Sequence, residues 1–125
     1  MIMAIITNNI YVDMVPGGVL KVLHIPQGDA GERDYIFRLT NGGEVLSIPS
    51  GYTAKLEGKR KGEQTGFTIA GVIDASRTAV TITADSSLTA TPGTIRARIE
   101  IAPENGAERL YSESVLFIVE ANPNN

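Results

Sequence analysis

The stretch IPQGDAGERDYIFRLTNGG, residues 25–43, decides the fold class of this chain. From Glu32 onward its side chains alternate, so that Tyr35, Phe37 and Leu39 fall on one face and Asp34, Arg38 and Thr40 on the other, with Ile36 the one apolar residue out of phase. An extended backbone sends successive side chains to opposite sides, so this pattern predicts a half-buried strand. Turn residues frame it: Gly28, Asp29 and Gly31 before, Asn41, Gly42 and Gly43 after. Glycine enters the positive-φ region without a Cβ clash, and Asp and Asn bond to nearby backbone, so both ends read as tight turns. Gly28 and Gly31 are expected in conformations closed to a β-branched residue, with Asp29 accepting from neighbouring amides.

Working outward, residues 19–25 form a further strand that Pro26 stops. Residues 1–6 and 10–14 are apolar and β-branched around Thr7-Asn8-Asn9, which predicts a short hairpin or arm over residues 1–18, ahead of a core over 19–121 and a frayed tail over 122–125. Residues 44–49 are irregular. Residues 52–59 and 65–73 alternate again across a polar tip and read as a hairpin. Residues 78–84 carry Val80, Ile82 and Ala84 inward, and the polar piece 85–93 predicts a single helical turn that plugs the core with Leu88. Residues 94–102 alternate most cleanly, with Ile95, Ala97, Ile99 and Ile101 inward and Arg96, Arg98 and Glu100 on an outer face that must be wet or paired. Residues 109–121 form the last long strand. Its centre, Val115-Leu116-Phe117-Ile118-Val119, is apolar on both faces.

Short strands at intervals of roughly ten residues, with no amphipathic helix between them, predict an all-β fold. The expected form is an antiparallel β-sandwich, immunoglobulin-like or of a related Greek-key arrangement, with Tyr35, Phe37, Leu39, Leu56, Phe67, Ile69, Ile82, Ile95, Ile99 and Ile101 in its core. The 125 residues amount to one domain, large enough to hide about two-thirds of the unfolded surface. A chain with 0 Cys has no disulfide framework and no thiolate metal site. A formal net charge of -3, with Lys and Arg scattered along the sequence, gives no basic footprint for nucleic acid. No apolar run reaches membrane-spanning length, and residues 1–6 lack the basic flank of a signal peptide.

Catalytic chemistry finds little support. His24 is the single histidine and lies mid-strand without a Gly-x-Ser-x-Gly elbow, so a structural or surface histidine accounts for it better than a nucleophile's base or a zinc ligand. Asp29, Glu32 and Asp34 offer hard oxygens, yet their spacing misses the calcium-loop pattern and a solvated turn explains them. Gly58-Lys59-Arg60-Lys61-Gly62 lacks the ending and following helix of a phosphate loop and reads as a solvated tip. Glu100, Glu113 and Glu120 lie on strands with no pocket signal for paired-carboxylate hydrolysis.

Gln27-Gly28-Asp29 with its leading Ile25-Pro26, the run Tyr35-Ile36-Phe37-Arg38-Leu39, and Asn41-Gly42-Gly43 resemble the opening of the N-terminal domain of phage baseplate upper proteins. The later blocks follow the same order: Gly51-Tyr52-Thr53-Ala54, the tip Lys59-Arg60-Lys61-Gly62, the polar piece before Pro92-Gly93, and the closing strand. The resemblance spans residues 19–120. It implies a structural β-sandwich head domain of a tailed phage or prophage, made in the bacterial cytoplasm and carried in the virion tail. It further implies docking to other tail proteins or to further copies of the chain, with no enzyme activity and no cofactor. Members of that family usually continue into a stalk, so this chain reads as a head domain alone, an excised piece or a small tail accessory. Because both faces of residues 115–119 need cover, Val115, Phe117 and Val119 are nominated as a docking surface. The alternative is a central strand whose second face lies under a loop or under residues 1–6. The competing function is a carbohydrate-binding or adhesin-type sandwich, which commonly needs aromatic platforms; this chain has 0 Trp and 6% aromatics.

Overall fold

The computed structural model describes residues 6–15, 20–28, 33–106 and 108–121. Among them the backbone forms eleven strands and one helical turn: β1 (Ile6–Asp13), β2 (Lys21–Pro26), β3 (Arg33–Asn41), β4 (Glu44–Val45), β5 (Tyr52–Arg60), β6 (Phe67–Ala70), β7 (Val72–Ile73), β8 (Ala79–Thr83), α1 (Ser86–Thr89), β9 (Gly93–Pro103), β10 (Leu110–Tyr111) and β11 (Val115–Glu120). One sheet has the order β1-β3-β8-β7 with β4 also on β3; the other has the order β2-β11-β9-β5-β6 with β10 also on β9. Their inner faces share one apolar core, so the molecule is a β-sandwich.

The antiparallel expectation holds inside each sheet and fails at one edge of each. β1 runs parallel to β3, and β2 runs parallel to β11, so both sheets are mixed. The reason is topological: consecutive strands β1 and β2 enter opposite sheets and so cannot close a hairpin on each other. Of the hairpin or arm expected near the N-terminus, the hairpin does not form among the described residues, where β1 is one continuous edge strand. Thr7, Asn8 and Asn9 do not turn; they lie opposite Asp34, Tyr35 and Ile36, and Ile10 and Val12 further along reach the core. Asn9 is held extended by its own side chain, whose Oδ1 accepts from Arg38 Nε at 3.0 Å. Residues 1–5 and the tail 122–125 lie outside the described residues.

β3 behaves as its alternation predicts, burying Tyr35, Phe37 and Leu39. Tyr35 meets Phe117 of the opposite sheet edge-on, with ring centroids 5.1 Å apart, a geometry that suits the two ring quadrupoles. Beyond β3, Gly42 and Gly43 both take positive φ, 64° and 90°, and Asn41 pairs with Glu44 across them. Two central residues with positive φ make the hairpin turn whose twist matches the flanking strands, so the segment read as irregular begins with a short strand. The expected core residues are buried except Phe67, which is half-buried. Its ring lies over Gly58, where a Cβ would come within 2.6 Å of Phe67 Cζ.

Residues 65–73 are two strands, not one, because the chain changes sheet at Gly71. β6 pairs with β5, whereas β7 pairs with β8. Gly71 donates its N–H to Ala54 O at 2.9 Å, and a Cβ there would stand 2.5 Å from Val80 Cγ1, so only glycine lets the corner pass this close to the core. The last strand is broken as well. Between the Tyr111–Glu100 and Val115–Ala97 pairs, three residues (Ser112, Glu113, Ser114) oppose two (Ile99, Arg98), which is a β-bulge. Ser112 stabilises it by accepting from Ile99 N and donating to Glu113 O. The helical turn appears as expected, with Leu88 fully buried and Asp85 accepting from Ser87 N at its start.

Candidate functional site

The turn residues singled out in the sequence act as joints between elements. Gln27 and Gly28 bind the far end of α1: Gly28 N donates to Thr89 O at 2.9 Å and Gln27 Nε2 donates to Ala90 O at 2.9 Å, while Gln27 N donates to Glu120 O. Gly28 takes φ +87°, as its place in the turn required. Asp29, Gly31 and Glu32 lie outside the described residues. At the other end of β3, Gly42 N and Gly43 N both point at one carboxylate, that of Asp13, at 3.0 and 2.8 Å. Asp13 also accepts from Val15 N at 2.7 Å and from the Thr40 hydroxyl at 2.9 Å. These donors, led by the backbone N–H groups of Val15, Gly42 and Gly43, hold its pKa down at about 2. Asp13 N in turn donates to Glu113 Oε2 at 2.8 Å, and Glu113 N donates to Asp13 O at 2.9 Å, so the residue ties the edge of one sheet to the bulge of the other. Sequence patterns give no sign of this role for Asp13, because its partners other than Val15 lie about 30 and 100 positions away.

The residues weighed for chemistry are dispersed. His24 sits on the outward side of β2, 3.5 Å from Glu120, with 58% of its side chain exposed. Glu113 is committed to Asp13, and Glu100 lies between Lys55 and Arg109 at 3.7 and 3.9 Å. Although Glu100 points away from the core, it is buried, so the outer face of β9 is paired at this end. Asp34 accepts from the Thr83 hydroxyl at 2.6 Å. Among the described residues no group of three or more His, Cys, Asp or Glu is placed to hold a metal ion, and none of their helices is long and apolar enough to cross a membrane. The tip at 58–62 is not wholly solvated: Arg60 is 8% exposed, with Nη2 donating to Ser87 O at 3.3 Å, because β5 runs through it and turns its side chain toward α1.

The nominated docking residues also need correcting. Val115, Phe117 and Val119 are 1%, 0% and 2% exposed and belong to the core between the sheets. β11 is an interior strand, between β2 and β9, and parity sends these three inward. The reachable side of β11 is Leu116 and Ile118. Across the outer face, pairing aligns Val22, Leu116, Arg96 and Lys59 in one row, and His24, Ile118 and Thr94 in the next, with Lys61 N bonded to Thr94 O beyond them. The face is therefore apolar toward β2 and basic toward β5. An open groove of about 800 Å³ runs over its basic half and is walled by the tip around Lys61 and Glu63.

No family model matches the chain, and no curated protein does. A solved structure does match: the N-terminal domain of phage TP901-1 ORF48, with a TM-score of 0.69 over 92% of this chain and 98% of that one. The two share one fold. Their sequences are 12% identical, so the likeness lies in the arrangement of strands.

Proposed function

We propose that this domain is a structural part of a phage tail baseplate that docks through its sandwich onto another tail protein. The observation that carries the reading is the fold match, which spans nearly the whole of both chains and whose counterpart is the N-terminal domain of a phage baseplate protein. The turn motifs support it from another direction, since Gln27-Gly28 and Asn41-Gly42-Gly43, which resemble that class of domain, serve here as joints of the fold. In this reading the domain contributes surface and rigidity without catalysis or a cofactor, and it resides in the virion tail of a phage or prophage. Association with further copies of the chain belongs to the same reading.

Co-expression with each tail protein encoded beside it, followed by size-exclusion chromatography with light scattering, tests this. A co-eluting complex of defined mass is the expected result. A strictly monomeric chain that captures none of those proteins, yet binds a defined glycan, would assign it to the carbohydrate-binding sandwiches instead.

A further inference from the structure

We propose that the basic groove on the outer face of the β5-β9-β11 layer receives an acidic, extended segment of a partner tail protein, with an apolar side chain of that segment resting on Leu116. The proposal rests on the docking role above and names the chemistry of its partner. Charge is its first support. Four cations line this groove (Lys59, Lys61, Arg96 and Arg98), against Glu57 and Glu63, while Arg60 is turned away from it toward α1. Glu57 and Arg98 offset each other at 3.2 Å, which leaves Lys59, Lys61 and Arg96 against Glu63. Cations scattered along the sequence are thus gathered by pairing into one place on a molecule of net charge -3.

The register supplies the second support. Lys59 and Arg96 stand directly opposite each other on the exposed side of β5 and β9, and neither finds an acidic partner among the described residues. Like charges facing each other across a ladder destabilise it, so the free domain carries a repulsion that a bound carboxylate relieves. The same row continues into Leu116 and Val22, the latter 46% exposed, which places apolar surface one and two strands from the cations. A ligand that satisfies both halves carries a carboxylate followed, about one strand spacing of roughly 5 Å away, by an apolar group. A phosphate backbone would meet the cations but leave Leu116 and Val22 without a partner.

The test uses the whole chain and the double variant Lys59→Gln, Arg96→Gln, whose exposed, unpaired positions leave the fold intact; a thermal midpoint no lower than the parent's checks this. Amide shifts of the labelled chain are followed during titration with a synthetic eight-residue peptide of alternating Glu and Leu, and separately with a single-stranded DNA octamer. The expected result is peptide-induced shifts at Lys59, Lys61, Arg96 and Leu116, with affinity reduced about tenfold in the double variant and in high salt. Equal peptide binding by parent and variant, shifts confined to other surfaces, or a response to DNA alone would overturn the proposal. Pull-down against the neighbouring tail proteins separates the two readings. If the variant captures a partner as well as the parent does, docking stands and this groove is wrong; if neither captures one while the peptide still binds, the groove chemistry stands and the baseplate reading falls.

Discussion

The two sides of β11 make an instructive contrast. Val115, Phe117 and Val119 face the opposite sheet and are essentially inaccessible, whereas Leu116 and Ile118, one residue out of phase and just as apolar, lie half-buried on the outside beside Arg96 and Thr94. Identical chemistry has opposite fates because the pleat divides it. The inner set meets Tyr35 and the rest of a dense core, where every methylene counts; the outer set meets cations and open space. A run that is apolar on both faces therefore says that each face suits contact, and leaves open which face the chain covers for itself.

Five measurements test that contrast, the largest effect first. Phe117→Ala should lower stability by about 3–5 kcal/mol, since a cavity joins the lost transfer energy and the edge-on contact with Tyr35 disappears. Denaturant titration reads this; a loss near zero would mean that the inner face is not the core. Gly71→Ala comes next, at about 1–3 kcal/mol, because the added Cβ meets Val80 and Ile82 where the chain changes sheet. The same titration serves, and a neutral outcome would show that the corner yields.

Acid unfolding probes the joint between the sheets. The folded pKa of Asp13 is depressed to about 2, so its contribution is fully present above the ordinary carboxylate value and is lost as pH falls from about 4 through 2. Asp74 acts in the same direction, through the Ser76 hydroxyl and the backbone N–H groups of Thr78 and Ala79. Urea midpoints between pH 5 and pH 2 should fall steeply in the parent and less so in Asp13→Asn; superimposable profiles would remove Asp13 from this role. Leu116→Ser should change stability by at most about 1 kcal/mol, because the side chain is half-exposed, while weakening partner capture. A loss equal to that of Phe117→Ala would erase the distinction between the faces. The smallest effect has the opposite sign: Lys59→Glu turns a like-charged pair with Arg96 into an attractive one, so the free domain should gain about 0.2–1 kcal/mol while docking suffers. A thermal midpoint that falls would argue that Lys59 and Arg96 do not repel.

Much of the architecture is legible in the order of residues. Strand β3 and its buried Tyr35, Phe37 and Leu39, the alternation of β9, the plug at Leu88 and the turns at Gly28 and at Gly42-Gly43 are local properties, set by period, side-chain shape and glycine's access to positive φ. The departures from local pattern share one cause. Thr7-Asn8-Asn9 looks like a turn by composition but extends because β3 offers it a parallel partner; residues 65–73 look like one strand but divide because Gly71 permits a change of sheet; residues 109–121 look continuous but bulge where Ser112 bonds to Ile99. Each depends on a partner distant in sequence.

By itself, the sequence determined that this chain is an all-β sandwich without cysteine chemistry, because period-two patterning and glycine-rich turns act over a few residues and need no tertiary context. Only the tertiary structure decided which face of β11 is core, that Asp13 holds the Gly42-Gly43 turn to the opposite sheet's bulge, and that Lys59 and Arg96 face each other beside Leu116. Cross-strand neighbours are set by register, and register is a property of the assembled sheet.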